Sequence, residues 1–376
     1  MSNRKITRTA SVEVADLRDA LGAGVGVIAR RNTIPILECV LLDVRDGRLA
    51  LTATDLERET RVAGVSVDAL GQDIACAVPG ALLHDIVRKL PQAGAATLAL
   101  DAAHLTIAAG KSRFALAVLE AADFPSTPWA TDGAHTFEMA SADLAHLLDT
   151  CAPAMSAEET RYYLNGIYLA PSPGGEFLRA VATDGHRLML AEVPLPAGAA
   201  GMAGVILPRA SIGHMRKLAD GAPVQLTVTP ARVRIATGDV TLTSKLVDGI
   251  FPDYQRVIPA VDPAGTVVEV DAGEMTAALD RVGTVGESNA GVRLDCAEGR
   301  VRLTMRDAIG HEAVDEVDAS IVGKAIEVGV NPRYLATALG AFGSAARVLV
   351  HLNGRAPLRL DADGTSTLAI VMPLRV

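Results

Sequence analysis

Apolar positions along the chain switch repeatedly between the 3.6-residue period of a helix and the two-residue period of a strand. A helical stretch follows Pro79, where Leu82, Leu83, Ile86, Val87 and Leu90 recur at helical spacing. Two more follow Pro208 ("ILPRASIGHMRKLA") and Pro332 ("VNPRYLATALGAF"). Proline suits the first helical position, where its missing N–H costs no hydrogen bond. The three prolines are spaced 129 and 124 residues apart, which marks an internal repeat. Each of these helices precedes two apolar runs of strand character, with clear alternation at Leu226, Val228, Val233 and Ile235.

The first half of each unit repeats as well. "SVEVADLRDAL", "SADLAHLLDTCAPAM" and "DAGEMTAALDRVGTV" read as helices, and β-branched strand runs come after each. Asp46–Gly47 and Pro173–Gly175 punctuate strand pairs. The pattern predicts an α+β chain of three copies of helix–strands–helix–strands, with two helices against antiparallel strands in each. The expected cuts fall within "STPWATDGAH" and "VIPAVDPAG", giving residues 1–132, 133–261 and 262–376.

Composition narrows the function classes. The formal net charge of −9 argues against a wholly basic nucleic-acid binder but leaves room for a basic patch on an acidic body. Aromatic residues are only 3% of the chain, so Ala, Val, Leu and Ile must build the cores. Cys39, Cys76, Cys151 and Cys296 have no metal-ligand spacing and read as reduced, buried thiols. The start, "MSNRKITRTASVEVADL", lacks the apolar region of a signal peptide, and no run reaches the roughly 20 apolar residues of a membrane span. A cytoplasmic protein without membrane contact is expected. "LGAGVGV" is a poor dinucleotide fingerprint that follows a helix, and no phosphate-binding loop of the Walker type is present.

"RAVATDGHRLMLAEV" raises the one catalytic question, because Asp184, His186 and Arg187 share a tight turn. A general base and its orienter would look like this. No nucleophile motif or metal-spaced cluster accompanies them, and a similar turn, "ATDLE" at Asp55, recurs in the first copy. A structural turn and a hydrolase using Asp184 and His186 are the two readings the residues leave.

"RRNTIPIL", "EETRYYLNG", "ATDGHRL", "FPDYQRVIP" and "VMPLRV", in this order on a threefold repeat, resemble the bacterial sliding clamps, the beta subunits of DNA polymerase III. The resemblance covers essentially the whole chain. It implies a clamp fold of three domains, a head-to-tail homodimer closed into a ring, and no enzymatic activity, catalytic residue, metal or cofactor. The implied partners are duplex DNA without sequence preference, the DNA polymerase III alpha subunit, the clamp loader and other proteins with a clamp-binding motif.

The same resemblance implies a hydrophobic pocket for peptides of the Gln-Leu-x-Leu-Phe kind. Its residues would be Leu164, Thr183, Gly185, His186, Arg187, Leu188, Pro252, Arg256, Val257, Ile370, Val371, Met372, Pro373, Leu374 and Arg375. Gly185 would let a peptide come close, Leu164, Val257, Val371 and Met372 would be apolar walls, and the middle copy alone would carry a histidine after the Asp-Gly turn. DNA contacts would fall on Arg31, Arg161, Tyr162 and Tyr163, and the dimer contact on Phe114 and Leu116. Arg18, Arg30, Arg31, Arg88, Lys89, Arg216, Lys217, Arg281 and Arg333 are candidate channel cations. Several positions depart from the family pattern: Ala81 and Ala210 where basic residues are common, Glu158, Asn289, and Gly283 and Gly286 in the first helix of the third copy. A divergent clamp acting as a partner-binding scaffold is the alternative these departures leave.

Overall fold

The protein is described by a computed structural model over residues 8–28, 32–69, 73–286, 290–343 and 346–375. The first copy runs β1 (Arg8–Glu13), α1 (Val14–Gly24), β2 (Cys39–Arg45), β3 (Arg48–Thr54), β4 (Arg58–Asp68), β5 (Ile74–Pro79), α2 (Gly80–Lys89), β6 (Ala95–Leu100), β7 (His104–Ala109) and β8 (Ser112–Ala117). The second runs β9 (His135–Met139), α3 (Ser141–Cys151), β10 (Gly166–Pro171), β11 (Phe177–Thr183), β12 (Arg187–Pro194), β13 (Val205–Pro208), α4 (Arg209–Leu218), β14 (Val224–Val228), β15 (Arg232–Thr237) and β16 (Val240–Lys245). The third runs β17 (Thr266–Asp271), α5 (Ala272–Gly283), β18 (Val292–Ala297), β19 (Arg300–Arg306), β20 (Glu312–Val322), β21 (Ile326–Val330), α6 (Pro332–Gly340), β22 (Arg347–Leu352), β23 (Leu358–Asp361) and β24 (Thr367–Val371), followed by β25 (Pro373–Leu374).

The repeat is finer than its sequence pattern. Each copy is strand–helix–three strands, written twice, so six such units succeed one another among the described residues. Three strands follow each proline-led helix rather than two, because "AGKS" and its counterparts are hairpin turns inside what reads as one apolar run. Pro79 and Pro208 are the last residues of their strands, and only Pro332 occupies the first helical position. Asn331 caps that helix, its Oδ1 accepting from the N–H groups of Arg333 and Tyr334 at 2.9 and 3.3 Å. Asp271 caps α5 in the same manner through Glu274, at 2.9 Å. Leu83, Ile86, Val87 and Leu90 are buried, whereas Leu82 is exposed. Gly283 is the last residue of α5 and Gly286 lies beyond it, so neither weakens a helix interior. A Cβ at Gly286 would collide with Met305.

Two compact units emerge, Met1–Ser141 with Gly213–Leu246, and Ala142–Ile212 with Val247–Val376. They do not coincide with the copies because strands of one copy hydrogen-bond to strands of the next. In the first unit β16 runs antiparallel to β4, from Val240 opposite Val62 to Ser244 opposite Arg58. In the second, β24 runs antiparallel to β12, from Thr367 opposite Ala191 to Val371 opposite Arg187. The pairings have one geometry, which is the repeat expressed in three dimensions. Alternation buries one strand face, as in β7, where Leu105 and Ile107 are wholly enclosed. Asp46 and Gly47 both have positive φ, the requirement of the tight hairpin joining β2 to β3.

Candidate functional site

The turn joining β11 to β12 is built by its own side chains. Asp184 Oδ1 accepts from the N–H groups of His186 and Arg187 at 2.9 and 3.0 Å, and Oδ2 accepts from Arg187 Nε at 3.0 Å. Thr183 Oγ1 donates to the Arg187 carbonyl at 2.7 Å and accepts from the Gly185 N–H at 3.1 Å. Gly185 sits at φ +88°, where a side chain is strained.

The first copy makes the same turn with Thr54, Asp55, Leu56, Glu57 and Arg58. Asp55 Oδ1 accepts from the N–H groups of Glu57 and Arg58, its Oδ2 binds the Arg58 guanidinium, and Thr54 Oγ1 donates to the Arg58 carbonyl. Leu56 there takes φ +75°. The turn is therefore a folding device of the repeat. In the third copy Asp307 plays the part with one residue more, and Gly310 at φ +98° precedes His311. The third-copy turn also leads to a histidine, but after Asp-Ala-Ile-Gly rather than Asp-Gly.

In this geometry Asp184 does not orient the His186 ring. Both carboxylate oxygens are taken by backbone N–H groups and Arg187, and the His186 ring stacks instead on Tyr334, with centroids 5.8 Å apart. The Arg187 guanidinium lies over the same ring, 4.7 Å from its centroid. Tyr334, on α6, holds both side chains yet stands 148 residues from His186 in sequence.

Behind the turn lies an apolar floor of Leu164, Val181, Leu188, Leu190, Ile206, Phe251 and Ile370. Tyr163, Tyr168, Tyr254, Val247 and Ile258 pack against it, half-buried. Tyr168 stacks on Phe251 at 5.0 Å, and Tyr254 accepts from Arg179 Nη1 at 2.9 Å while Arg179 pairs with Glu192 at 2.7 Å. Val257, Met372 and Leu374 are exposed. Leu164 and Val371, expected as walls, are buried, and Leu164 is part of the floor. Pro252 and Arg256 are exposed, with Arg256 paired to Asp253 at 2.9 Å.

The chain end is fixed in two sheets. Val371 pairs with Arg187, the Met372 N–H donates to the His186 carbonyl at 2.9 Å, and Pro373 and Leu374 pair with Val330 and Gly329 of β21. Arg375 follows, exposed. All fifteen residues expected at a pocket lie within the second unit.

Other expected site residues divide. Arg31, Arg30 and Asn289 lie outside the described residues. Arg161 is paired with Glu158 at 3.2 Å, and its guanidinium takes the space over Gly185, 3.0 Å from where a Cβ would stand. Tyr163 packs on the apolar floor, and Tyr162 meets it edge-on and is exposed. Leu116 is buried in its own unit, while Phe114 is exposed on β8, an edge strand. Arg18 donates to the Val87 and Leu90 carbonyls at the end of α2, at 3.3 and 2.7 Å, and Arg281 pairs with Asp315 at 2.6 Å. Arg88, Lys89, Lys217 and Arg333 are exposed.

One signal was overlooked in the sequence. The chain has five tyrosines, and Tyr162, Tyr163, Tyr168, Tyr254 and Tyr334 all gather at this site. In a chain so poor in aromatics, that concentration is an uneven distribution that a count of the sequence could have flagged.

Among the described residues no group of three or more His, Cys, Asp or Glu could hold a metal ion, and no helix is long and apolar enough to cross a membrane.

Family models described as the N-terminal, central and C-terminal domains of the DNA polymerase III beta subunit match residues 9–128, 138–253 and 255–375. A beta sliding clamp of Caulobacter vibrioides is 42% identical over 97% of this chain and 99% of its own length. That of Escherichia coli strain K12 is 33% identical over 93% and 95%. A solved sliding clamp of Bartonella birtlesii, bound to griselimycin, matches with a TM-score of 0.92 at 36% identity, covering 98% of this chain and 100% of that one.

Proposed function

Since the chain belongs to the DNA polymerase III beta subunit family, the beta sliding clamps, we propose that the tyrosine-ringed apolar site of its second unit is where it holds its partners. A sliding clamp raises processivity by tethering a polymerase to DNA through topology. The site suits a short extended peptide with apolar side chains, of the Gln-Leu-x-Leu-Phe kind. Leu and Phe would lie against the floor, and each is worth roughly 1.5–3 kcal/mol when fully buried, before ordering costs. Met372 adapts its shape to different ligands. The polymerase alpha subunit, the clamp loader and other proteins with such a motif are the partners we assign. The role needs no chemistry from the clamp, and we read it as a non-enzymatic, cytoplasmic protein.

The observation that carries this reading is that Leu188 of the turn, Ile370 near the chain end and Tyr163, Tyr168 and Tyr254 meet at one apolar floor, with Tyr162 against Tyr163 and Tyr334 against His186. Calorimetric titration of a Gln-Leu-x-Leu-Phe peptide tests it. Binding at one site per chain, weakened several-fold by His186→Ala, is expected. No binding to the wild-type chain would overturn it.

The repeat also supports a closed assembly of three-domain chains. The last strand of the second copy pairs with β4, and that of the third copy with β12. The last strand of the first copy, β8, is a sheet edge. Its counterpart would be the first half of β20, where Glu312–Asp318 pair with β19 on one side, β17 joining only from Ala319. With the same register, Phe114 would lie opposite Ala313 of a second copy and Ser112 opposite Asp315. Head-to-tail pairing of two chains would then close a ring. Exposed cations in each unit, Arg88, Lys89 and Lys217 in the first and Arg333 in the second, are available to duplex DNA, as is Arg161 where phosphate replaces Glu158. Such contacts attract without reading sequence and weaken with salt.

A further inference from the structure

Leu82 and Ile309 are large apolar side chains left 50% and 81% exposed. Leu82 is the third residue of α2, a helix whose Leu83, Ile86 and Val87 are buried. Ile309 belongs to the third-copy turn, which fixes its backbone while the side chain stands in water. Asp307 Oδ1 accepts from the Ile309 and His311 N–H groups at 3.0 and 2.8 Å, and Oδ2 meets His311 Nδ1 at 2.8 Å. A solitary exposed apolar residue is ordinary. The repeat gives these two a common explanation.

Each unit sets the second helix of one copy against the turn of the copy before. In the second unit Tyr334, third in α6, stacks on His186 and lies under the Arg187 guanidinium. In the first, His214, sixth in α4, stands 3.4 Å from Arg58 Nη1, and its Nε2 is 2.8 Å from the Gly26 carbonyl. Arg58 and Arg187 hold one position of the turn, directly before Glu59, which pairs with Thr54, and Leu188, which pairs with Thr183. Glu312 pairs with Arg306 in the same way, which puts His311 at that position in the third copy. No fourth copy follows among the described residues to supply a helix there. The first copy has the matching helix, and its α2 offers Leu82 and, three residues on, exposed Asp85. Ser244 of β16 lies opposite Arg58, and Val371 of β24 opposite Arg187. In the same register, β8 of one chain would set Leu116 opposite His311 of the next.

We propose that Leu82 of one chain packs on Ile309 and His311 of a second copy of this chain, an apolar contact beside the β8–β20 strand pair. This rests on the ring-closure reading above and adds to it side chains that backbone pairing does not call on. A second copy is the occupant because both halves of the contact lie on this chain, at the positions the repeat already joins twice. The charges beside Ile309 are matched within their own hairpin, Arg306 to Glu312 at 2.7 Å and Asp307 to His311 at 2.8 Å. Covering Ile309 therefore strips water from no unmatched charge among these four. An apolar contact also keeps its strength as ionic strength rises, which an exposed ion pair does not.

The test uses the full chain. Light scattering gives its oligomeric state, and exchange of subunits between two fluorescently labelled preparations gives the dissociation rate of the dimer. Leu82→Asp and Ile309→Asp should each speed exchange about tenfold or more. Leu82→Lys combined with Ile309→Asp should exchange several-fold more slowly than Ile309→Asp alone at about 50 mM salt, and that recovery should vanish at about 1 M. Both side chains are exposed in the single chain, so the variants leave its own core intact. If either single variant exchanges at the wild-type rate, the contact does not exist, while the strand pairing stands. If both speed exchange and the Lys–Asp combination recovers nothing, the two side chains do not meet and the proposal is wrong. A wild-type chain that stays monomeric at micromolar concentration brings down the closure reading itself.

Discussion

The backbone N–H of Met372 donates to the carbonyl of His186 over 2.9 Å, joining the end of the chain to the middle-copy turn. The first unit has the same bond, from the Lys245 N–H to the Glu57 carbonyl at 2.8 Å. In both, the end of the last strand of one copy locks onto the turn of the copy before, through Lys245, the last residue of β16, and Met372, which follows β24. In the first unit the side chains at these positions form an ion pair, Lys245 to Glu57 at 2.6 Å. In the second they are Met372 and His186, which suit an apolar ligand. Deleting residues 372–376 should therefore abolish binding of the Gln-Leu-x-Leu-Phe peptide. The fold should persist, because β24 remains paired with both β12 and β23. Unchanged affinity of the truncated chain, read by calorimetry, would remove the tail from the site.

Asp184 should matter for stability rather than for any reaction. Replacing it with Ala strips the acceptor from two backbone N–H groups and from Arg187. A cost of roughly 1–3 kcal/mol is expected, and Asp55→Ala should cost a similar amount in the equivalent turn. Urea denaturation measures both. A stable Asp184→Ala variant would mean that the turn is held by the strands alone.

The two turns differ at one backbone position, and the difference is measurable. Gly185→Ala should destabilise by about 1–2 kcal/mol, since φ is positive and Arg161 Nη1 occupies the space over the glycine. Leu56→Gly should move stability by less than about 0.5 kcal/mol, because relief of strain at φ +75° offsets the added freedom of the unfolded chain. Equal losses in both variants would contradict the equivalence of the turns.

Ring closure predicts a particle of twice the 39.0 kDa chain mass by light scattering. Phe114→Glu should yield monomers, placing a charge on an exposed edge where a second copy is expected, without disturbing the unit's own core. A wild-type monomer at micromolar concentration would rule out the β8–β20 pairing.

The four cysteines are buried and free. Burial pushes the thiols of Cys76 and Cys296 up to about 12 and raises those of Cys39 and Cys151. Only the thiolate is nucleophilic, so a thiol reagent at pH 7.5 should label none of them in the folded chain and all four in urea. Labelling of the native protein would show an opening to solvent near one of them.

The sequence by itself determined the repeat, the α+β class and the identity of the turn. Proline before a helical period, alternation within strands and Asp with a positive-φ partner are local rules that act over a few residues. The same locality explains the errors. Where two hairpin strands share a short turn, as at Gly110–Lys111, hydrophobicity runs on and two strands read as one. Only the tertiary structure decided that Tyr334 supports His186 and Arg187, that Arg161 covers Gly185, and that β24 closes on β12. These contacts join residues far apart in the chain, and nothing in their immediate neighbours encodes the meeting. Packing against a shared floor brings them together, and the strand register fixes which side chains face one another.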